Sequence, residues 1–285
     1  MAKYKNFVGL GIAGNFALHL EQAGEVSEFK DIITQDEAAP KGIFPFYIPT
    51  TKDSQNAILQ TANPQLHTYP LGSEYIKLPS DGSNIQVEPE VALVCHIEYM
   101  ADKIESIKPT HFGAFNDCSI RRDGASKISQ KKNWGEYSKG FSNQLIEIDD
   151  FSQGGAIDSY SIASYLLRDG SLHEYGEDVE LVGYSYFHEK LTDWIVDQLN
   201  SQDDFGPLEN ISSYLQAANK PHEAIISIGA TRYSEFGEKN FLKEGDEIFV
   251  VLYNRDSHES SDVIKAIKSR TPFDGMSMLH QRVIR

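Results

Sequence analysis

Two glutamates lie close together in front of the most apolar segment of the sequence. Glu88 and Glu90 flank Pro89 and lead directly into the apolar run 91–95. In a β-strand, residues two apart point to the same face, so both carboxylates would converge on one point. Two adjacent carboxylates repel each other unless a cation or a shared proton lies between them. The pair therefore indicates a cation site, although a solvated strand end is the plainer interpretation.

A third carboxylate, Asp117, follows Glu90 by 27 residues. That separation is long enough for a strand, a turn and a return strand, which would bring Asp117 back to the two glutamates. Three carboxylates completed by waters form an oxygen shell that suits Mg²⁺ or Mn²⁺, or Ca²⁺ if the site is looser. Asn116-Asp117 is also an ordinary turn sequence, because both residue types favour turns.

The elements that must position these carboxylates are mainly short strands. Helical periodicity predicts helices at residues 15–23, 189–199 and 211–218. Strands and helices do not alternate regularly, which argues against a doubly wound parallel sheet and favours a β-rich α+β chain. The predicted strands are residues 4–9, 87–97, 109–115, 145–148, 162–167, 179–187, 224–228 and 247–253.

Two segments are predicted to lack long regular elements. Residues 36–84 contain six prolines on a polar background, which predicts a loop-rich, β-type region. Residues 123–138 are polar and carry Lys127, Lys131 and Lys132. The simplest interpretation of this second segment is a mobile, solvated loop, and the alternative is a lid that closes on an anionic substrate.

A glycine motif near the N-terminus matches the dinucleotide-binding pattern GxGxxG. It runs from Gly9 to Gly14, between a predicted strand and a predicted helix, and Asp31 follows 22 residues after Gly9. Such a motif would place a pyrophosphate at a helix N-terminus. A Rossmann domain needs further strand–helix units, however, and residues 36–84 do not supply them. We therefore expect the glycines to allow a tight turn and not to bind NAD or NADP, which leaves an NAD-binding oxidoreductase as the less favoured alternative.

Composition narrows the classes of protein further. The chain has 285 residues, 40% of them apolar, and a net charge of −16. A surface of this charge repels nucleic acids and anionic membranes, and no run of 18 apolar residues offers a membrane span. Residues 1–5 precede no apolar segment of the kind found in secretory signals. Cys95 and Cys118 form no CxxC pair, which argues against a zinc ribbon and fits a cytoplasmic protein.

Six segments, in order along nearly the whole chain, resemble the fumarylacetoacetate hydrolase family. They correspond to that family's Asn-Tyr-x-x-His, Glu-x-Glu, Asn-Asp-x-Ser-Ala-Arg, Gly-Lys-Ser-Phe, Thr-Gly-Thr-Pro and Phe-Leu-x-x-Gly-Asp stretches. In this sequence they are Asn15-Phe16-Ala17-Leu18-His19, Glu88-Pro89-Glu90, Asn116-Asp117-Cys118-Ser119-Ile120-Arg121, Ser138-Lys139-Gly140-Phe141, Ile228-Gly229-Ala230-Thr231 and Phe241-Leu242-Lys243-Glu244-Gly245-Asp246.

The resemblance implies a single domain over residues 1–285, with the mixed β-sheet roll of that family's C-terminal domain. It implies a lid at about residues 9–25, a catalytic core at about 70–255, and a homodimer. It also implies a divalent-metal-dependent enzyme that acts on a small 2-oxo or 1,3-dicarbonyl carboxylate through a metal-bound enolate. C–C bond hydrolysis, decarboxylation and isomerisation share this chemistry, and a non-catalytic metal-binding or ligand-binding member of the fold is the alternative.

Carried over by position, the resemblance also implies roles for individual residues. His19 would be the general base and Lys139 would contact the substrate or its enolate. Arg121 would bind the substrate carboxylate, or it would hold the residues of the site in position without contacting the substrate. Gln22 and Thr231 would contribute to substrate binding. The implied metal ligands are Glu88, Glu90 and Asp117.

Two departures from the family pattern affect the implied lid. The family has a glutamate three residues after the histidine, on the same helix face, where this chain has Gln22. An amide can hydrogen-bond an imidazole but cannot stabilise imidazolium with a charge. In addition, Gly14 and Phe16 stand where the family has arginine and tyrosine, so the reaction is less firmly implied than the metal site.

Overall fold

The regular structure is mainly strands, in a computed structural model that describes residues 2–34, 36–50, 61–122 and 124–285. The α-helices of these residues are α1 (His19–Gln22), α2 (Ser129–Lys132), α3 (His188–Ser201), α4 (Ile211–Ala217), α5 (Glu235–Lys239) and α6 (Ser260–Ser269). Their strands are β1 (Val8–Ala13), β2 (Gly42–Tyr47), β3 (Leu71–Gly72), β4 (Tyr75–Lys77), β5 (Ile85–Gln86), β6 (Pro89–Met100), β7 (Lys103–Asn116), β8 (Ser119–Ile120), β9 (Lys139–Phe141), β10 (Ile146–Glu147), β11 (Tyr160–Arg168), β12 (Ser171–Glu180), β13 (Glu223–Ser227), β14 (Glu247–Asn254) and β15 (Ser277–Ile284).

The larger sheet is mixed and has β6 near its centre. Its strand order is β2-β1-β13-β6-β7-β9-β3, and β10 also pairs with β7, along the edge that β9 uses. β1 runs parallel to β13, whereas β6 runs antiparallel to both β13 and β7. The run 91–95 is buried throughout, which is the pattern expected of a strand covered on both faces. The strand predicted at residues 87–97 is therefore confirmed.

A second sheet packs across the first and closes the core. Its order is β12-β11-β14-β15-β4, and strands β14 and β15 contact β7. Apolar side chains of both sheets belong to one buried cluster that includes Leu93, Phe112, Ile162 and Val250. The ring centroids of Phe112 and Tyr160 lie 5.0 Å apart in an edge-on arrangement. This sandwich holds the β6–β7 hairpin rigidly at its centre.

The predicted helices are only partly confirmed. Helix α3 covers residues 189–199 and buries Leu191, Ile195 and Leu199, as its periodicity predicts. The helix predicted at 15–23 is wrong, because α1 is limited to four residues. Two local features prevent the longer helix. The Asn15 amide donates to the carbonyls of Tyr186 and Ile228, at 3.0 and 2.9 Å, and Leu18 has a φ of +68°.

The strand predicted at 179–187 is also wrong over most of its length. Strand β12 ends at Glu180, and residues 181–183 form a 3₁₀ turn. Within the predicted loop-rich region 36–84, short strands β2, β3 and β4 appear, and residues 51–60 lie outside the described residues. None of the described helices is both long enough and apolar enough to cross a membrane.

The glycine motif lies within the larger sheet and serves aromatic packing. Gly9 and Gly11 belong to β1, which is paired on one side with β2 and on the other with β13. A Cβ atom at Gly9 would lie 2.2 Å from the ring of Phe46, and one at Gly11 would lie 2.3 Å from the ring of Phe44. The missing side chains therefore make room for two rings of the neighbouring strand.

We predict that Gly11→Ala destabilises the protein, because the added methyl group overlaps the Phe44 ring. The expected loss of unfolding free energy is about 1–3 kcal/mol, as for other overpacked core positions. Urea denaturation measures it, with Gly183→Ala as the control, since a Cβ there would lie 3.5 Å from its nearest neighbour. Equal stability of the two variants would contradict this packing role.

Candidate cation site

The β6–β7 hairpin brings the three predicted carboxylates together. Glu88 precedes β6, Glu90 is its second residue, and Asp117 follows the last residue of β7. The backbone N–H of Asp117 donates to the carbonyl of Glu88 at 2.9 Å. One ligand atom from each residue lies within 4.8 Å of the others, and all three side chains are buried. The convergence expected from their spacing is present, and metal ligation by them stays a prediction.

The hairpin continues beyond the carboxylates as the small ribbon β5–β8. Gln86 of β5 pairs with Ser119 of β8, two residues past Glu88 and Asp117 on the respective chains. The acidic residues therefore occupy a short interruption between two paired segments. This placement fixes their backbone on both sides while it leaves their side chains free to face one another.

A lysine outside the sequence-predicted site lies between two of these carboxylates. The Nζ atom of Lys132 donates to Glu88 Oε2 and to Asp117 Oδ2, each at 2.5 Å. Burial opposes a charge on this ammonium, but Asp117 and Glu88 outweigh that effect and raise its pKa above the usual range. The ring of Phe44 lies on another side of it, with its centroid 4.9 Å from Nζ. Lys132 is therefore a buried, charged partner of the acidic residues.

The interpretation of residues 123–138 as a solvated loop is therefore wrong at its centre. Asp123 itself lies outside the described residues. Residues 129–132 form α2, and the side chains of Lys131 and Lys132 are only 2% and 4% exposed. The physical reason is charge compensation, because buried carboxylates need buried cations. The signal in the sequence is the acidic trio itself: three buried carboxylates need counter-charges, so buried lysines could have been expected near them.

Lys139 pairs with the third predicted ligand. It is the first residue of β9, it is fully buried, and its Nζ lies 2.9 Å from Asp117 Oδ1. The same ammonium donates to the backbone carbonyls of Asp117 and Cys118 at 3.0 and 2.7 Å. Lys139 thus holds the end of β7 in place. Its predicted contact with a substrate or enolate stays a prediction.

Arg121 connects the acidic residues to the lid. Its guanidinium lies 2.8 Å from Glu88 Oε1 and 2.7 Å from Glu25 Oε1. It also donates to Gln86 Oε1 at 2.7 Å and to the hydroxyl of Tyr233 at 2.8 Å. This geometry agrees with a supporting position behind the acidic residues, and binding of a substrate carboxylate by Arg121 stays a prediction.

The end of the predicted lid and the turn that follows it supply two more carboxylates, Glu25 and Glu28, to the same network. Lys131 Nζ donates to Glu25 Oε1 at 2.7 Å and to both oxygens of Glu28, at 2.9 and 2.8 Å. Burial would raise the pKa of Glu25, but Arg121 and Lys131 outweigh it and hold that pKa below its usual value. Glu25 is therefore ionised, and it joins the lid to α2 and to the end of the hairpin.

Glu90 differs from the other carboxylates of the network. Its Oε2 accepts a hydrogen bond from the backbone N–H of Gly229 at 3.0 Å. Burial, together with the neighbouring Asp117, raises its pKa well above the usual value, which favours the protonated form of Glu90. Beside it, the network pairs four other carboxylates with four basic side chains. The carboxylates are those of Glu25, Glu28, Glu88 and Asp117, and the cations are Arg121, Lys131, Lys132 and Lys139.

His19 is held as a neutral imidazole. Its Nδ1 lies 2.9 Å from the backbone carbonyl of Thr231, which can only accept, so Nδ1 carries the proton. Burial lowers the pKa of His19, and the nearby Arg121 adds to this effect while Glu88 opposes it. The unprotonated Nε2 is the form that a general base requires. The Thr231 hydroxyl is directed to the carbonyl of Pro89 at 3.4 Å, and its predicted role in substrate binding stays a prediction.

Gln22 fastens the lid to the same segment. Its Nε2 donates to the carbonyl of Tyr233 at 3.1 Å, and its Oε1 accepts from the N–H of Tyr233 at 2.9 Å. His19 and Gln22 thus lie on one face of α1, as their spacing predicts, and both contact residues 231–233. Because the Gln22 amide bonds to the backbone, it serves as a clamp, and its predicted contact with substrate stays untested.

The cavity at this site is small. Its volume is about 20 Å³, which is room for about one water molecule. The lid and the acidic residues both line it, so a substrate of several heavy atoms requires the lid to move. The lining residues that carry the argument are Gly14, His19, Glu25, Glu88, Glu90 and Lys132.

The three carboxylates favour binding of a divalent ion, whereas their surroundings oppose it. Three carboxylates within 4.8 Å of one another are the hard oxygen ligands that Mg²⁺ and Mn²⁺ prefer. The Lys132 ammonium, however, occupies the gap between Glu88 and Asp117. In this conformation the site does not accommodate a metal ion as well.

Comparison with known proteins identifies the family. The profile of a family of unknown function, DUF5718, matches residues 25–283. The chain belongs to DUF5718. The match begins after His19 and Gln22, and it includes the three carboxylates and all four cations of the cluster. No curated protein sequence was found to match the chain.

Solved structures show the fold that this DUF5718 protein shares. A crystal structure of Cg1458 with inhibitor aligns over 97% of this chain and 76% of its own, at 15% identity and a TM-score of 0.56. A 2-keto-3-deoxy-D-arabinonate dehydratase complexed with magnesium and 2,5-dioxopentanoate aligns over 97% and 72%, at 16% identity and a TM-score of 0.52. The predicted fold class, a β-rich α+β chain with a fumarylacetoacetate hydrolase-like mixed sheet, is confirmed.

We predict that Gln22→Glu loosens the lid of this DUF5718 protein. A carboxylate can still accept from the N–H of Tyr233, but it cannot donate to the carbonyl of Tyr233. The expected cost is about 1–3 kcal/mol for the unpaired buried acceptor. Hydrogen exchange of residues 19–29 should rise in this variant, whereas Glu21→Gln, at an exposed position of the same helix, should leave it unchanged.

Proposed function

We propose that this protein is an enzyme that acts on a small carboxylate with a 2-oxo or 1,3-dicarbonyl group. The observation that carries the proposal is one cavity lined by a neutral histidine and by a buried ammonium. A base and a fixed positive charge are the two groups that enolate chemistry needs. The resemblance of the sequence to fumarylacetoacetate hydrolases supports the same choice.

The roles of the individual groups follow from their chemistry. Nε2 of His19 would accept a proton from water or from the carbon next to the carbonyl group, because Nδ1 is already protonated and held by Thr231. Negative charge then develops on the carbonyl oxygen, and the ammonium of Lys132 would stabilise it. C–C hydrolysis, decarboxylation and isomerisation all place negative charge on this oxygen, whichever bond is broken.

The resemblance implies Mg²⁺ or Mn²⁺, with Ca²⁺ as the looser alternative, at Glu88, Glu90 and Asp117. The three carboxylates by themselves would suit such an ion. The position of Lys132 opposes it, since the ammonium would first have to leave the gap between Glu88 and Asp117. We therefore assign no step of the reaction to a metal ion.

A non-catalytic protein that binds a small carboxylate is the second candidate. Two observations favour it. The cavity has a volume of only about 20 Å³, and Gln22 provides no charge beside His19. Turnover distinguishes the two candidates, because a binding protein would retain a carboxylate ligand without consuming it.

We predict slow turnover of oxaloacetate or an acylpyruvate, because Gln22 provides no charge beside His19, and a further loss of about 10²–10⁴-fold in kcat for His19→Asn. His258→Asn is the matched control, because its ring stacks on Phe273, in the segment between α6 and β15, and not at the cavity. Since burial lowers the pKa of His19, the base remains unprotonated to lower pH, and kcat/KM should fall only below pH 6.5. Turnover that is unaffected by His19→Asn would exclude His19 as the base.

We also propose that the protein is a homodimer, as the resemblance implies. Edge strands such as β12 and β4 leave backbone groups that a second copy could cover. Light scattering should then give twice the chain mass of 32.0 kDa at micromolar concentration. A mass of one chain under these conditions would contradict the proposal.

A further inference from the structure

We infer that Lys132 is the built-in cation of the acidic site, and that its ammonium group takes the place of a divalent metal ion between Glu88 and Asp117. This inference uses the site of the proposed function but does not depend on its reaction. Three independent features of the structure carry it, namely the position of the ammonium, the occupation of the remaining carboxylate oxygens, and the anchoring of α2.

The position of the ammonium leaves no room for a metal ion. Nζ of Lys132 lies 2.5 Å from Glu88 Oε2 and 2.5 Å from Asp117 Oδ2. A magnesium ion bound to the same two oxygens would lie about 2.0–2.1 Å from each, within the same gap. The two cations cannot occupy that gap together, because they would overlap and repel each other.

The remaining oxygens of these two carboxylates are also paired with cations of the protein. Glu88 Oε1 is 2.8 Å from Arg121, and Asp117 Oδ1 is 2.9 Å from Lys139, both as ion pairs without hydrogen-bond geometry. Each of the four oxygens therefore has a cationic nitrogen within 3 Å. Because every oxygen of Glu88 and Asp117 is already ion-paired, these two residues have no negative charge left to balance an added divalent ion.

The helix that carries Lys132 is anchored on both sides. The side-chain amide of Asn63 donates to the carbonyls of Ser129 and Asn133 at 2.7 and 2.9 Å. The amide of Asn133 in turn donates to the carbonyl of Phe46 at 2.8 Å. These bonds fix the backbone at both ends of α2. The backbone that carries Lys132 is consequently held in place next to the carboxylates.

An ammonium at this position also has chemical consequences. It has three N–H donors, and two of them are used by Glu88 and Asp117. The third is available for a carbonyl or carboxylate oxygen of a substrate in the cavity that Lys132 lines. The site would then stabilise negative charge through a hydrogen bond from a lysine rather than through a metal–oxygen bond.

The decisive experiment is a titration of the full chain with Mn²⁺, followed by electron paramagnetic resonance and calorimetry. We expect no stoichiometric binding to the wild type. Lys132→Met should bind one Mn²⁺ per chain at least about 100-fold more tightly, because the competing cation is gone and the carboxylates lack a partner. Adding Asp117→Asn to Lys132→Met should abolish that binding.

The matched control is Lys131→Met. Lys131 belongs to the same helical turn and is just as buried, but it pairs with Glu25 and Glu28 and not with the acidic trio. This variant should resemble the wild type in the Mn²⁺ titration. If it gained the same site, general loosening of α2 would be the cause, and the inference would be wrong.

Two further outcomes would overturn the inference. The first is stoichiometric binding of Mn²⁺ to the wild type at micromolar concentration, and this test needs no variant. The second is a folded Lys132→Met, or Lys132→Gln if the former does not fold, that binds Mn²⁺ no better than the wild type. Failure of the proposed function is separate, because it would appear as absent turnover with the Mn²⁺ results unchanged.

Discussion

Three buried carboxylates within 4.8 Å of one another are the constraint on which the rest of this structure depends. Carboxylates removed from water are strongly destabilising unless protons or cations compensate them. The chain uses both means. The raised pKa of Glu90 favours its protonated form, whereas Glu88 and Asp117 are surrounded by Arg121, Lys132 and other cations. The loops, the lid and the end of the hairpin all meet at this point because each contributes to that compensation.

The glycine motif of the first strand takes part in the same arrangement from a distance. Gly11 leaves space for the ring of Phe44, and that ring lies 4.9 Å from Nζ of Lys132. An aromatic face stabilises an ammonium and excludes water from it. A sequence pattern typical of phosphate binding thus has a packing function here, because it makes room for the Phe44 ring beside Lys132.

The sequence predicts the hairpin and its carboxylates because both follow from local rules. Alternation in a strand places Glu88 and Glu90 on one face, and a continuous apolar run marks a buried strand. The burial of Lys132 could not be predicted in this way. Lysines in polar segments are normally exposed, and only the three-dimensional neighbourhood reveals the carboxylates that reverse this preference. The helix predicted from residue 15 was wrong for a similar reason, since Asn15 bonds to backbone more than 170 residues away.

The predicted lid segment contributes Glu25 to the acidic network. Glu25 pairs with Arg121 and Lys131, and the cavity has room for about one water molecule. Movement of this segment would withdraw that carboxylate, and Arg121 and Lys131 would each keep one acidic partner, Glu88 and Glu28 respectively. Such cations favour an anion strongly, even in a chain whose net charge is −16, because the local field outweighs that of the distant surface. On the proposed function, a substrate carboxylate would therefore replace Glu25, and substrate binding and lid movement would be parts of one exchange of ion pairs.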